Sequence, residues 1–326
     1  MTGWLTAPIR TTRTTATRER SSPICTASRA RTEYKESYLA RIGGIDQWIC
    51  VRGQDRDNPI ILLVHGGPAS PLIPTLWQFQ RPLEEYFTVV NYDQRGGGRT
   101  HRANDPDSVA ATIHIAQYVS DAIELAESII PRYGARKLVL MGHSWGTVIA
   151  LQAALARPEL FHAYVGIGQI INTKTNEELS FTYGLEQARQ TNNTEAIKEM
   201  ETIAPYPGET PITREYTPED VDAIDEGNEF TLGKVLDEFL EVDFTGVSRF
   251  PIPVLMFMGR HDYTTPSEPT AAWLEAVEAP YKRRVWFENS AHLVPFEEPG
   301  KTLLSLVEYV RPLTDPVSVG DTGAPD

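Results

Sequence analysis

Residues 139–149 read Val-Leu-Met-Gly-His-Ser-Trp-Gly-Thr-Val-Ile. Within them Gly142-His143-Ser144-Trp145-Gly146 fits the pattern Gly-x-Ser-x-Gly, directly after the aliphatic run Leu138 to Met141. A serine hydroxyl is a weak nucleophile. It needs a tight strand-to-helix turn that exposes its oxygen, a neighbouring base, and N–H donors nearby. Gly142 and Gly146 lack Cβ atoms, which permits the strained turn and the close approach of the following segment. That segment, Thr147 to Ala156, is rich in Ala, Leu and Val and stops near Pro158, so it reads as a helix of about three turns. An ordinary Gly-flanked turn would satisfy the pentapeptide alone; a buried-type strand before it and a helix after it point to Ser144 as a nucleophile.

Chain order then directs the search for partners, because a serine at such an elbow expects an acid and then a histidine on loops after later strands. Pro253 to Met258 reads as a short apolar strand and runs into Gly259-Arg260-His261-Asp262-Tyr263. Asp262 therefore falls just past a strand end, where open α/β sheets carry their functional loops. No acid closely follows the earlier strand Phe161 to Ile167. As a structural residue Asp262 would be a turn or N-cap carboxylate ahead of Pro266. Arg284 to Phe287 reads as the next strand, and Asn289-Ser290-Ala291-His292 follows it, which makes His292 the candidate base. Its nearest rivals, His143 and His261, adjoin the nucleophile and the acid and have no late loop of their own.

Stabilising an oxyanion takes backbone donors, one from the residue after the nucleophile and one from a loop after an earlier strand. Asn58 to Val64 is that strand, and it ends in His65-Gly66-Gly67-Pro68. The expected donors are the N–H groups of Trp145 and Gly67, with Gly66 as the alternative to Gly67.

These passages, together with Asp93-Gln94-Arg95-Gly96, resemble the α/β-hydrolase fold and, within it, the prolyl aminopeptidase (proline iminopeptidase) family of serine peptidases. The likeness spans about residues 35 to 312. It implies an α/β fold with a mostly parallel eight-stranded sheet flanked by helices and an inserted helical cap. It also implies release of N-terminal proline from short peptides, without metal or organic cofactor. Three residues depart from the family's habit around the acyl pocket: Ala69 and His143 stand where glycine is usual, and Ala291 replaces the glycine before the histidine. Those departures keep a second reading open, an esterase, amidase or lactonase acting on small acyl substrates. A ligand-binding module without turnover is a third, although every catalytic role is filled. An Asp at position 144 would have pointed to dehalogenase or epoxide chemistry. The resemblance places Asp93-Gln94-Arg95-Gly96 near the elbow, with Arg95 expected to hold that loop by pairing with Asp93 or a main-chain carbonyl.

The remaining sequence organises around this core. Strand and helix patterns alternate from Ser37 onward, beginning with a hairpin, Ser37 to Ile42 and Gln47 to Arg52, around Gly43-Gly44. Tyr118 to Ile130 and Ala271 to Val277 have amphipathic helical spacing. With 326 residues, 41% of them apolar, the chain is long enough for one large domain with a smaller insertion. The expected division is a disordered, Ser/Thr-rich leader over residues 1–32, an α/β-hydrolase core over 33–170 and 249–312, an acidic helical cap over 171–248, and a disordered tail over 313–326. The leader holds six arginines against Glu19 and lacks the apolar stretch of a secretory signal.

Charge is concentrated as well. Of the formal net −14, the stretch Ile171 to Ser248 carries 18 Asp and Glu against five Lys and Arg, a net of −13. Segments Glu177 to Gln190 and Val221 to Leu240 read as helices in it, separated by the proline-bearing loop Ala204 to Ile212. Such a stretch favours cationic substrates and repels nucleic acid. Glu177, Glu178 and Glu186 are its carboxylates nearest the core in sequence and the candidate ligands for an α-amino group, although most such groups merely solvate a helix face. No run approaches the roughly 18 apolar residues of a membrane span. Cys25 and Cys50 form neither a disulfide framework nor a metal spacing, so a cytoplasmic compartment is the expectation. Oligomeric state is not legible.

Overall fold

In a computed structural model of the chain, residues 33–194 and 218–315 are described, with backbone alone for 218–221. The expected leader, the loop Ala204 to Ile212 and residues 316–326 of the expected tail lie outside them. The chain first forms a hairpin, β1 (Tyr34–Ile42) and β2 (Ile45–Gly53). Its two-residue turn is Gly43-Gly44, with φ of 55° and 76°, and Ile42 faces Ile45 across it. Two successive positive φ angles match the right-handed twist of paired strands, and glycine adopts them without a Cβ clash.

Six further strands follow: β3 (Ile60–Val64), β4 (Thr88–Tyr92), β5 (Leu138–His143), β6 (Phe161–Ile167), β7 (Val254–Gly259) and β8 (Lys282–Phe287). All eight join one sheet in the order β1-β2-β4-β3-β5-β6-β7-β8. Only the β1–β2 and β2–β4 pairings are antiparallel. The central strands are unbroken apolar runs because helices cover both faces. Alternate residues divide between two cores. Leu62, Leu140 and Met256 face helices on one side, whereas Ile61, Leu63, Met141 and Leu255 pack with Phe79, Leu83, Leu306 and Val310 on the other.

Nine α-helices are described: α1 (Gly98–Ala103), α2 (Pro106–Ala110), α3 (Ile115–Arg132), α4 (Trp145–Ala156), α5 (Thr173–Gln190), α6 (Pro218–Leu240), α7 (Ser267–Ala276), α8 (Val294–Glu297) and α9 (Pro299–Ser305). The stripe Tyr118, Ala122, Leu125, Ala126 and Ile129 puts α3 on the first core at i, i+3 and i+4 spacing. A short π-helical turn, Leu306–Val310, and a 3₁₀ turn, Arg311–Thr314, end the described chain. The second turn carries order two residues into the stretch expected as tail.

The described residues, from Glu33 onward, belong to one compact unit. Helices α5 and α6 belong to it and lie between β6 and β7 in the chain, where the acidic stretch stands. The far edge is β8, whose first three residues, Lys282, Arg283 and Arg284, are exposed. Among the described residues no helix is long and apolar enough to cross a membrane.

Candidate active site

The sheet order reverses at β3: the chain passes to β4 on one side and returns to β5 on the other. A crevice forms outside the carboxyl ends of strands at such a point. His65 to Pro68 and Ser144 stand there, each immediately after its strand.

Ser144 holds φ 52° and ψ −125°, a conformation that costs a non-glycine residue strain. Its N–H donates to Ile167 O at 2.9 Å, and its carbonyl accepts from Thr147 N at 2.8 Å and Thr147 Oγ1 at 2.6 Å. The glycines on either side are required by space. A Cβ on Gly142 would lie 2.8 Å from Gly146 O, and one on Gly146 would run into the carbonyl oxygens of Val64 and His65.

Asp262 and His292 come from β7 and β8 and meet. The imidazole Nδ1–H donates to Asp262 Oδ2 at 3.0 Å, with Oδ1 at 3.2 Å. Asp262 is buried and also accepts from Thr265 N at 2.8 Å, Thr265 Oγ1 at 2.7 Å and Thr264 N at 3.1 Å. Burial alone would raise its pKa; His292 and the Thr265 donors outweigh that and hold the carboxylate below its ordinary range. The loops interlock at Gly259, whose Cβ would press on the Ser290 and Ala291 carbonyls. His261, by contrast, is exposed.

His292 reaches the side of the crevice that holds Ser144. A Cβ on Gly168, just past β6, would lie 2.9 Å from its Cε1. Its ring centroid is 4.9 Å from that of His143, the residue preceding Ser144. Among the described residues no hydrogen bond joins Ser144 Oγ to the imidazole. Apo hydrogen bonds of this kind commonly tighten only when substrate arrives.

The oxyanion candidates are organised by Gln94. Its N–H donates to His65 Nε2 at 3.0 Å, its side-chain amide donates to His65 O at 2.7 Å, and its Oε1 accepts from Trp145 Nε1 at 3.1 Å. One glutamine thus ties the His65–Pro68 loop to the start of α4. His65 Nδ1–H in turn donates to Gly66 O at 2.8 Å, and Ser70 N donates to the same oxygen. With the Gly66 carbonyl committed, the Gly67 N–H of the same planar peptide points the opposite way. Trp145 opens α4, and first-turn N–H groups have no intrahelical acceptor. Burial lowers the His65 pKa to about 4, so the ring is a neutral strut.

Arg95 is fully buried and forms a two-pronged pair with Asp121 of α3, Nε to Oδ2 and Nη2 to Oδ1, both 3.0 Å. It also donates to Gly43 O and Thr112 Oγ1, each at 2.7 Å. The expected main-chain carbonyl is there. The carboxylate partner is Asp121 and not Asp93, whose Oδ2 accepts from Arg99 N.

Sequence reasoning missed several supports. Glu297 accepts from Ala291 N at 2.7 Å, and Glu298 from Asn289 N and Ser290 Oγ, so two adjacent acids pin the His292 loop. The adjacent pair Glu297-Glu298 shortly after His292 was the available signal. Asn228 of α6 donates to Pro68 O at 2.5 Å, and Asn176 of α5 to Thr264 O at 3.0 Å. Glu177, Glu178 and Glu186 are exposed on α5, and no hydrogen bond among the described residues joins them to Ser144, Asp262 or His292. A cavity of about 340 Å³ lined by Ile171, Asn172, Thr175, Val247 and Trp273 includes none of the candidate catalytic residues. Among the described residues no group of three or more His, Cys, Asp or Glu stands where it could hold a metal ion.

A serine at a strained strand-to-helix turn, with an Asp–His pair on the loops of two later strands of a mostly parallel sheet, defines a class of hydrolases. The chain belongs to the α/β-hydrolase fold family, whose model matches residues 59–299. It is an α/β-fold hydrolase that resembles the prolyl aminopeptidases. A probable aminopeptidase, YbaC, of Bacillus subtilis (strain 168) is 28% identical over 307 residues, covering 83% of this chain and 94% of that protein. The putative carbamate hydrolase RutD of Escherichia coli is 28% identical over 155 residues, 47% of this chain and 53% of that protein. The crystal structure of a proline iminopeptidase from Mycobacterium smegmatis superposes with a TM-score of 0.63 at 16% identity, covering 86% of this chain and 99% of that one.

Proposed function

We propose that the protein is a serine hydrolase working through an acyl-enzyme, and that its substrates are short peptides from which it releases an N-terminal proline. The carrying observation is the buried, four-donor Asp262 carboxylate joined to His292 across the crevice that holds Ser144. In this reading Ser144 Oγ attacks the scissile carbonyl while His292 Nε2 takes its proton. Asp262 keeps the tautomer and stabilises the imidazolium. The N–H groups of Trp145 and Gly67 receive the oxyanion, and His292 returns the proton to the leaving amine. Water then repeats the sequence on the ester.

Residues 171–248 are the cap in this reading. Asn176 and Asn228 place α5 and α6 against the acid loop and the oxyanion loop. The net −13 of this stretch would draw a cationic amino terminus toward the site. Leu179, Phe181, Leu232 and Leu236 on these helices, with Tyr263 and Leu293 beside the Asp–His pair, are exposed and would suit an apolar ring or acyl chain. The partial likeness to putative carbamate hydrolases keeps a second reading, an esterase or amidase of small acyl groups.

Ser144→Ala is expected to abolish turnover and labelling by a fluorophosphonate probe; activity that persists refutes the nucleophile. Rates on a prolyl-arylamide beside p-nitrophenyl acetate and butyrate separate the substrate readings. Preference for the arylamide supports the peptidase, and preference for the esters supports the alternative.

A further inference from the structure

His143 is a buried imidazole beside the nucleophile that the reaction above does not use. Its Nε2–H donates to the main-chain carbonyl of His292 at 3.1 Å. That bond selects one neutral tautomer and leaves Nδ1 a lone pair, and Nδ1 is buried with no hydrogen-bond partner among the described residues. Nδ1 lies against Gly66: a Cβ there would sit 3.2 Å from it and 3.1 Å from Ser144 Cβ. The ring therefore fills the gap between the oxyanion loop, the nucleophile and the backbone of His292. Leaving a buried acceptor unpaired is costly. A purely apolar filler would avoid that cost, so the arrangement is explained by what the other nitrogen does.

What it does is fix the second end of His292. The side chain is anchored to Asp262 through Nδ1, and Glu297 and Glu298 hold residues 289–291 before it, which leaves the peptide after His292 as the remaining freedom of the ring's base. A donor on the residue's own carbonyl removes that freedom. Misplacement of a reacting group by about 1 Å can cost about a hundredfold in rate. We propose that His143 is a positioning residue that holds the His292 main chain so that its imidazole stays presented to the side of the crevice that holds Ser144. Burial, with a smaller contribution from the neighbouring His292 ring, lowers the His143 pKa to about 3. It stays neutral while His292 cycles its proton and adds no competing charge.

The inference rests on the acyl-enzyme reading, and its test keeps the two apart. His143→Leu fills the space without a donor, His143→Asn ends short of the carbonyl, and His143→Gln carries an amide N–H to about the position of Nε2. kcat and KM are measured on the best wild-type substrate, per active site titrated with fluorophosphonate, beside the melting temperature. Leu and Asn are expected to lower kcat per site by about 10- to 100-fold with KM within about threefold, and Gln to recover about tenfold over Leu. Wild-type kcat per site in the Leu variant, or loss confined to melting temperature or titratable fraction, overturns the proposal. If the Leu variant does not fold, the Gln–Asn pair decides: a Gln advantage of about tenfold supports it and equality overturns it. Failure of wild-type Ser144 to label would remove the acyl-enzyme reading itself, and this inference with it.

Discussion

Four donors converge on Asp262, so replacing it by Asn changes charge and tautomer control while leaving the volume unchanged. Asp262→Asn is expected to lower kcat by about 10³- to 10⁴-fold, measured by steady-state kinetics on protein of unchanged fold. Arg95 is the opposite case, a buried charged residue outside the proposed catalytic set. Replacing it by Met strands the Asp121 carboxylate in the core and should cost about 3–5 kcal/mol in a urea titration. Chain order and strand ends single out Ser144, Asp262 and His292 in the sequence, and the meeting of Asp262 with His292 was legible from them. The Arg95 partner was not, since Asp93 is two residues away and Asp121 is on another element. An acid in the apolar stripe of α3, between Tyr118 and Leu125, was the available sign that a cation must meet it.

Among the elements, the central strands were read to within a few residues because burial on both faces leaves unbroken apolar runs. The helix after Ser144 begins at Trp145, two residues earlier than its composition indicates, because the elbow itself starts the turn. Helices α1 and α2 escaped notice, being short and polar. What no local pattern could give is how α6 sits on the loops that hold Pro68 and Gly96. A Cβ on Gly227 would strike Gly96 O, one on Gly96 would strike Thr231 Oγ1, and Asn228 meets a carbonyl 160 residues away. These close approaches let α6 brace the oxyanion loop. Asn228→Ala removes one hydrogen bond worth about 0.5–1.5 kcal/mol, so the melting temperature should fall by at most about 6 °C and kcat/KM by about two- to tenfold. An unchanged kcat/KM would show that the loop holds its shape without α6.

For the whole molecule, acid sensitivity follows from histidines kept neutral inside. His65 and His143 have folded pKa values of about 4 and about 3, below the ordinary 6.5. Between pH 6.5 and 4 the unfolded chain binds protons that the folded chain refuses. Stability therefore falls as pH drops through that window, by up to about 1.4 kcal/mol per pH unit for each ring. Asp262 adds a separate loss lower down: its folded pKa is depressed, so its contribution is present above about 4 and disappears as pH falls through the folded value. Urea midpoints recorded from pH 7 to 4 should decline steadily; a flat profile would contradict the burial of neutral imidazoles.

The outer margin of the sheet has its own consequence. An unpaired strand offers a template to any neighbouring chain, and a run of three cations at the beginning of β8 places like charge wherever two copies would meet in register. With Arg284 paired to Glu275, Lys282 and Arg283 keep net positive charge at that rim, the kind of feature that disfavours edge-to-edge pairing of copies.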